Sequence, residues 1–312
     1  MKHSLKTVNI LRVQAIVLLT WFLASLFAVS GHAQWQRAKR VAVYRSPQRA
    51  RYPALVKGLD GSLLVVFTRQ TAEQEAKGHG DLMLMRSADQ GQTWSPARII
   101  HKSGLGEPRA AGTMTRLNSG DLILPVAVLQ QRQTTSQVPV LTSADSGRSW
   151  KSLDTAFDVP LDWWVPRGKL IETDNGQLVM PIYGAADLED LQNTIHNCGV
   201  LRSCDGGKTW GSFSWIARGA RSVIGAASVS RFSFEGPSIS VLPDGRCLNN
   251  DADGPGPVNK GLGAPQVLCR LWSSDQGRTW TKAGAVDAWR MVRHSDDRQA
   301  HTVGQHSLGR VG

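Results

Sequence analysis

At 312 residues, 41% hydrophobic and 20% charged, the chain has an ordinary globular balance. That excludes intrinsic disorder over most of its length and leaves room for one large domain or two ordinary ones. Lys and Arg number 36 against 25 Asp and Glu, a formal net charge of +11, and 31 Gly and 11 Trp stand beside only 3 Tyr and 7 Phe.

The first element is a targeting segment. Residues 1–33 carry Lys2, Lys6 and Arg12 and no acid, so three of the eleven charges belong to them and eight to the rest. Residues 15–29 are apolar except for Thr20 and Ser25, and Gly31 and Ala33 occupy the two positions a signal peptidase inspects. This pattern predicts a cleavable signal peptide over 1–33 and a soluble mature chain, secreted or periplasmic, with no stable membrane insertion. An uncleaved membrane anchor is the alternative.

Four similar units follow. Each opens on two apolar strands joined by a short Gly turn: 53–59 and 62–68 around Asp60-Gly61, then 112–117 and 121–129 around Ser119-Gly120. The third pair is 168–172 and 177–183 around Asn175-Gly176, and the fourth is 237–242 and 246–250 around Asp244-Gly245. Such dipeptides supply the backbone that a hairpin requires. A third strand comes next (81–86, 138–142, 199–202, 267–272), and a fourth is visible at 97–101.

Every third strand ends in one motif, Ser-x-Asp-x-Gly-x-(Thr/Ser)-Trp. It runs from Ser87 to Trp94, Ser143 to Trp150, Ser203 to Trp210 and Ser273 to Trp280, with steps of 56, 60 and 70 residues. Ser and Asp can bond the amides of a tight turn, Gly supplies positive φ, and the Trp can pack on the sheet it re-enters. The motif reads as structural, so Asp89, Asp145, Asp205 and Asp275 are poor catalytic candidates. A four-stranded meander of about 60 residues, repeated with one turn at one place, predicts an all-β chain folded as a β-propeller. No segment has a helical period.

Cys247 and Cys269 fall on neighbouring predicted strands, so a disulfide and a pair of buried thiols are both open there. No Cys-x-x-Cys spacing points to zinc. The tail 286–312 reads as irregular or disordered. His294, His301 and His306 with Asp296 and Asp297 have no metal-ligand spacing, and neither a metal nor a cofactor is predicted.

The repeated turn is the Asp box, and with it the chain resembles the sialidase (neuraminidase) family over about residues 47–285. The resemblance implies a six-bladed propeller, with about four to five blades present within 34–285. Arg51-Tyr52-Pro53, ten residues before Gly61, is similar to the Arg-Ile-Pro motif that opens the first sialidase blade. It implies that Arg51 is one of three arginines clasping the substrate carboxylate, with Arg69 assisting from the rim. The family spacing places Glu75 at the acid/base position in the next loop, with Glu73 close by, and a solvated loop is the plain alternative. Glu235, ten residues before Gly245, occupies the same position as Arg51 and resembles the Glu that polarises a Tyr nucleophile. Glu107, Arg109, Trp163, Trp164 and Arg167 enter innermost strands and can line the same mouth. Trp164 is read as a platform for a sugar face, or as packing between blades.

The chain also departs from the family. A second carboxylate-binding Arg is expected near residue 251, where the sequence reads Asn249-Asn250-Asp251-Ala252-Asp253. A third Arg and the Tyr are expected in blades five and six. None of Tyr44, Tyr52 and Tyr183 is placed for the nucleophile. From Gln34 onward, 279 residues make about four and a half such units, so a shortened or frame-shifted chain, or an irregular ring, is expected.

The implied function is an exo-α-sialidase type of glycoside hydrolase acting on sialylated or other acidic glycans, with slow or no turnover. A non-catalytic carbohydrate- or protein-binding propeller and a propeller enzyme eliminating from another acidic sugar are the alternatives. Export and the lack of a concentrated basic stripe argue against nucleic acid.

Overall fold

The computed structural model describes residues 41–104, 106–130, 136–193, 195–224, 228–251, 256–257, 269–282 and 284–285. The predicted signal peptide and the His-containing tail lie outside them. The first blade is an antiparallel meander of β1 (Arg49–Lys57), β2 (Leu63–Gln70), β3 (Gly80–Ser87) and β4 (Arg98–Ser103) in that order.

In the second blade each long strand is broken in two. The inner strand is β5 (Glu107–Arg109) and β6 (Thr115–Arg116), and the next is β7 (Leu122–Pro125) and β8 (Ala127–Leu129). The third is β9 (Ser136–Gln137) and β10 (Val140–Ser143), with β11 (Lys151–Leu153) outside. The sequence predicts one inner strand over 112–117; instead Ala111 and Gly112 have φ of 25° and 82°, which kinks the chain. Thr113 seals the kink by donating its hydroxyl to the carbonyls of Ala110 and Pro125, both at 2.6 Å.

The third blade adds β12 (Ala156–Phe157), β13 (Trp163–Pro166), β14 (Ile171–Glu172), β15 (Leu178–Ala185), β16 (Asn197–Ser203) and β17 (Thr209–Ala217). Here β13 and β14 are the two halves of a kinked inner strand, both paired with β15. A small sheet that the sequence did not announce follows: β18 (Ala220–Ile224), β19 (Ser228–Phe232) and, later in the chain, β22 (Gly256–Pro257). The fourth blade orders β20 (Ser238–Val241), β21 (Cys247–Asp251), β23 (Cys269–Ser273) and β24 (Gly284–Ala285). The four blades belong to one unit, Val43–Gly312, in a propeller arrangement.

Two five-residue helices interrupt the all-β pattern, α1 (Ala72–Ala76) and α2 (Leu188–Gln192). Each follows the second strand of its blade, and each is capped by a side chain that accepts an amide of the first turn, Thr71 from Gln74 and Asp187 from Asp190. One turn and a half is too short to leave a period in the sequence.

Blades stack face to face, so both faces of the middle strands are buried. In β2, Leu64 and Val66 join Leu122, Leu124 and Leu141 between blades one and two, while Val65 and Phe67 pack on the other side with Val43 and Tyr44. The Asp boxes lock this stacking. In all four, the Ser hydroxyl accepts the Gly amide at 2.7–2.9 Å and the Asp carboxylate accepts the hydroxyl of the residue just before the Trp, Thr93, Ser149, Thr209 or Thr279, at 2.6 Å. The Trp residues do more than close their own sheets. Trp150, Trp210 and Trp280 enter the interfaces between blades one and two, two and three, and three and four. A Cβ on Gly147 would come within 2.1 Å of Leu64 in the preceding blade, so this glycine sets the closeness of the stack.

No disulfide forms among the described residues. The two cysteines do lie on neighbouring strands, but Cys247 opposes Ser273 and Cys269 opposes Asp251. Four residues of register is about 13 Å, roughly twice the Cα separation a disulfide spans.

Candidate functional site

In every blade a charged residue stands in or beside the innermost strand, close to a turn-forming or Gly-containing step of the backbone. Arg51 precedes Tyr52 (φ 53°), at the bulge between Arg51 and Ala54. Arg109 precedes the Ala111-Gly112 kink, and Arg167 precedes Gly168 (φ 76°). Glu235 precedes Gly236-Pro237, just before β20. These breaks touch from blade to blade. The Gly168 amide donates to the Ala111 carbonyl at 3.2 Å, and a Cβ on Gly168 would stand 2.9 Å from the Pro237 carbonyl oxygen. Neighbouring kinks therefore converge, and so do the three arginines and the glutamate ahead of them.

Between blades one and two the charges form a network. Arg109 grips one oxygen of Glu107 through Nε (2.8 Å) and Nη2 (2.7 Å). Arg51 Nη1 stands 3.9 Å from the other oxygen, and its Nη2 donates to Gln70 at 3.2 Å. The Tyr52 ring lies under both guanidinium groups, 4.7 Å from Arg109 and 5.9 Å from Arg51. Glu75, on α1, is paired with Arg49 and sits 3.6 Å from Arg51. The loop read as a candidate acid site is thus a short helix whose Glu faces the arginines, while Glu73 points away and pairs with Lys77.

Between blades three and four a second cluster is built. His196 Nδ1 is 2.6 Å from Glu235 Oε1, and the imidazole is nearly buried between Trp163 (5.5 Å) and the edge of Tyr183 (5.6 Å). The His196 hydrogen bond is the chief force holding the Glu235 carboxyl below the usual range, against the burial that opposes it. Burial pushes the Tyr183 phenol up; the charges of Arg167 and Arg109 act against this, and that of Glu235 adds to it. A small cleft lined by Tyr52, Arg109, Arg167 and Tyr183 connects the two clusters.

Arg51, Glu75, Arg109, Arg167 and Glu235 are therefore joined by one chain of contacts and fields. Two other candidates lie elsewhere. Arg69 alternates to the opposite face of β2 from Gln70 and Thr68, and it is held by Asp81 at 3.1 Å. Trp164 also points away, packing on Phe157 (5.0 Å) in the core between blades two and three, so it is interblade packing, and it is Trp163 that packs against Tyr183 and His196. Tyr52 and Tyr183 also line the cleft. His196 had no signal in the sequence, because its partner is 39 residues away.

Among the described residues no group of three or more His, Cys, Asp or Glu is arranged to hold a metal, and no helix is long and apolar enough to cross a membrane.

No curated protein sequence matches the chain. Solved structures do. A protein of unknown function from Dyadobacter fermentans superposes with a TM-score of 0.59 at 19% identity, over 78% of this chain and 71% of that one. A Hadza microbial sialidase gives 0.53 at 20% identity, over 74% of this chain and 46% of its own. The α-L-arabinanase of Penicillium chrysogenum, complexed with arabinobiose, gives 0.53 at 17%, over 76% and 66%. The chain thus spans less than half of that sialidase, and at these identities the likeness is one of fold. The BNR repeat-like domain model matches residues 23–214, most of the chain. With its four Asp boxes on a propeller of the sialidase type, the chain belongs to the BNR repeat-like domain family.

Proposed function

We propose that this is an exported, sialidase-like glycoside hydrolase whose cleft receives the carboxylate of an acidic sugar, terminal sialic acid of a glycoconjugate above all. One observation carries the reading. Among the described residues, the Arg167 guanidinium has no carboxylate partner and no side-chain hydrogen bond, yet it lines the cleft with Tyr52, Arg109 and Tyr183. A planar fork of donors without an acceptor suits a carboxylate bound through two parallel hydrogen bonds. The charge count agrees. Arg49, Arg51, Arg109 and Arg167 face Glu75, Glu107 and Glu235, which leaves one positive charge for one anionic group.

Each group then has a task. Arg167 orients the sugar carboxylate. Glu107 fixes Arg109 and Arg51 beside it, so they need little reorganisation on binding. Glu235, ionised, is the base, and Tyr183 is a neutral phenol within reach of its field. Glu75 is engaged by Arg49 and Arg51, so turnover is slow. That same engagement favours the second reading, a propeller that binds acidic glycans without cleaving them.

The test uses the full chain. Binding of 3′-sialyllactose and of lactose is measured by calorimetry, and hydrolysis of a fluorogenic sialoside by fluorescence. Preference for the sialylated sugar, lost in Arg167→Ala, supports the reading. Equal binding of both sugars, or preference for an arabino-oligosaccharide, overturns it.

A further inference from the structure

A carboxylate serving as a base in a half-buried site must be aimed and kept ionised. Glu235 lies outside any strand, in the lead-in to β20, so its backbone does little to aim it. Two side chains do. His196 Nδ1 meets Oε1 at 2.6 Å, and the Ser233 hydroxyl donates to the same oxygen at 3.3 Å. The Ser233 oxygen also accepts the His196 amide at 3.1 Å, and the Phe234 amide donates to the His196 carbonyl at 3.1 Å. The two segments are therefore sewn together by backbone and side chain at once.

The imidazole is clamped in turn. Trp163 of β13 lies 5.5 Å from its ring, and Tyr183 of β15 meets it edge-on at 5.6 Å. An aromatic clamp with a buried hydrogen bond holds one ring orientation, much as outer partners fix the ligands of a metal or the base of a hydrolytic triad. With the carboxylate ionised, the proton lies on Nδ1.

We infer that His196 is the positioning residue of this cleft, aiming the Glu235 carboxylate through Nδ1 and tying it to the Trp163–Tyr183 wall. The inference rests on reading the cleft as the acidic-sugar site. Among the described residues, Tyr183 from β15 and Cys198 from β16 are the titratable neighbours, Arg167 after β13 and Arg109 at the end of β5 are the charged ones, and Ser233 is the neutral donor.

The variants separate positioning from bulk structure. His196→Asn places an N–H donor where Nδ1 stood, whereas His196→Leu keeps the volume without a donor. Without the donor, burial remains as the main influence on Glu235, so the pH at which it titrates moves up. The Glu235 carboxyl is followed by carbon-13 NMR through a pH series, assigned by its loss in Glu235→Gln. The expected result is a low midpoint in wild type and His196→Asn and a raised one in His196→Leu, with Ser233→Ala giving a smaller upward move should the Leu variant not fold. Where sialoside hydrolysis is measurable, kcat falls about tenfold or more in His196→Leu with KM nearly unchanged, and Asn restores most of it. An unmoved midpoint in both His196→Leu and Ser233→Ala overturns the inference. A moved midpoint in a chain that neither binds nor cleaves sialosides instead overturns the sugar assignment and leaves the positioning intact.

Discussion

Arg51 of the first blade and Glu107 of the second stand 3.9 Å apart, Nη1 to Oε1, so two blades meet through a charge pair at the mouth of the cleft. Glu107 is the more buried partner, with its side chain 9% exposed, and it also takes both donors of Arg109. Glu107→Ala leaves two neighbouring guanidinium groups without their counter-charge. Breaking a buried pair costs roughly 3–5 kcal/mol. Both arginines keep a quarter to a third of their exposure, so solvent screens part of the loss, and about 2 kcal/mol is expected. Urea denaturation measures it. A variant as stable as the parent would show that Glu107 only fills space.

How far the sequence reveals this molecule depends on the range of the bonds involved. The Asp boxes are legible because Ser87 bonds residues two and four positions on, and each later copy repeats that local pattern. The kinks that aim Arg109 and Arg167 are not, since Tyr52, Ala111-Gly112 and Gly168 solve the same backbone problem with different residues. Arg51 is legible from its Arg-Tyr-Pro motif, and Glu235 because it stands, like Arg51, ten residues before a turn glycine. His196 is set by tertiary contact with Glu235, and Arg69 fails on strand alternation, a one-residue matter of face. The cysteines show the same limit, with adjacent strands foreseen and register not.

Arg167 gives the sharpest functional prediction. A charge-assisted pair of hydrogen bonds contributes about 1.5–3 kcal/mol, so Arg167→Ala weakens binding of 3′-sialyllactose roughly 10- to 150-fold. Arg69→Ala changes it by less than about twofold, because Arg69 is spent on Asp81 on the other face of β2. Calorimetric titration of both variants decides. Equal losses would mean that the effect is the net charge of the surface and not a site.

The box tryptophans predict unequal costs. Trp210 is 2% exposed and sits among Ile123, Leu178 and Leu201, with its indole N–H donated to Gly207 at 2.9 Å. Trp94 is partly exposed beside Met83 and Met85. Truncating a buried Trp costs about 3–5 kcal/mol. Trp210→Ala should therefore approach that range, and Trp94→Ala about half of it, by thermal or urea unfolding. The reverse order would show that the face of blade one, and not the stack of blades, sets stability.

The boxes also set the acid limit of the fold. The Thr93 hydroxyl and amide hold the Asp89 carboxyl down to about 2, against an ordinary value of 3.8. Burial pushes Asp275 the other way, yet the bonds from Thr279 and Ser273 outweigh it and bring it to about 2 as well. Bonds from Ser149 and Thr209 likewise depress Asp145 and Asp205. A carboxyl depressed in the folded chain binds its proton more readily when unfolded. It therefore contributes stability that is complete above the unfolded value and disappears as pH falls through the folded one. The four boxes act together, so the melting temperature should be level near pH 5 and fall steeply between about 4 and 2. Asp205→Asn removes one titrating group, lowers the melting temperature at pH 5 and makes the fall shallower. Scanning calorimetry through that range reads both effects, and a slope unchanged by Asp205→Asn would place the acid sensitivity in carboxylates other than the boxes.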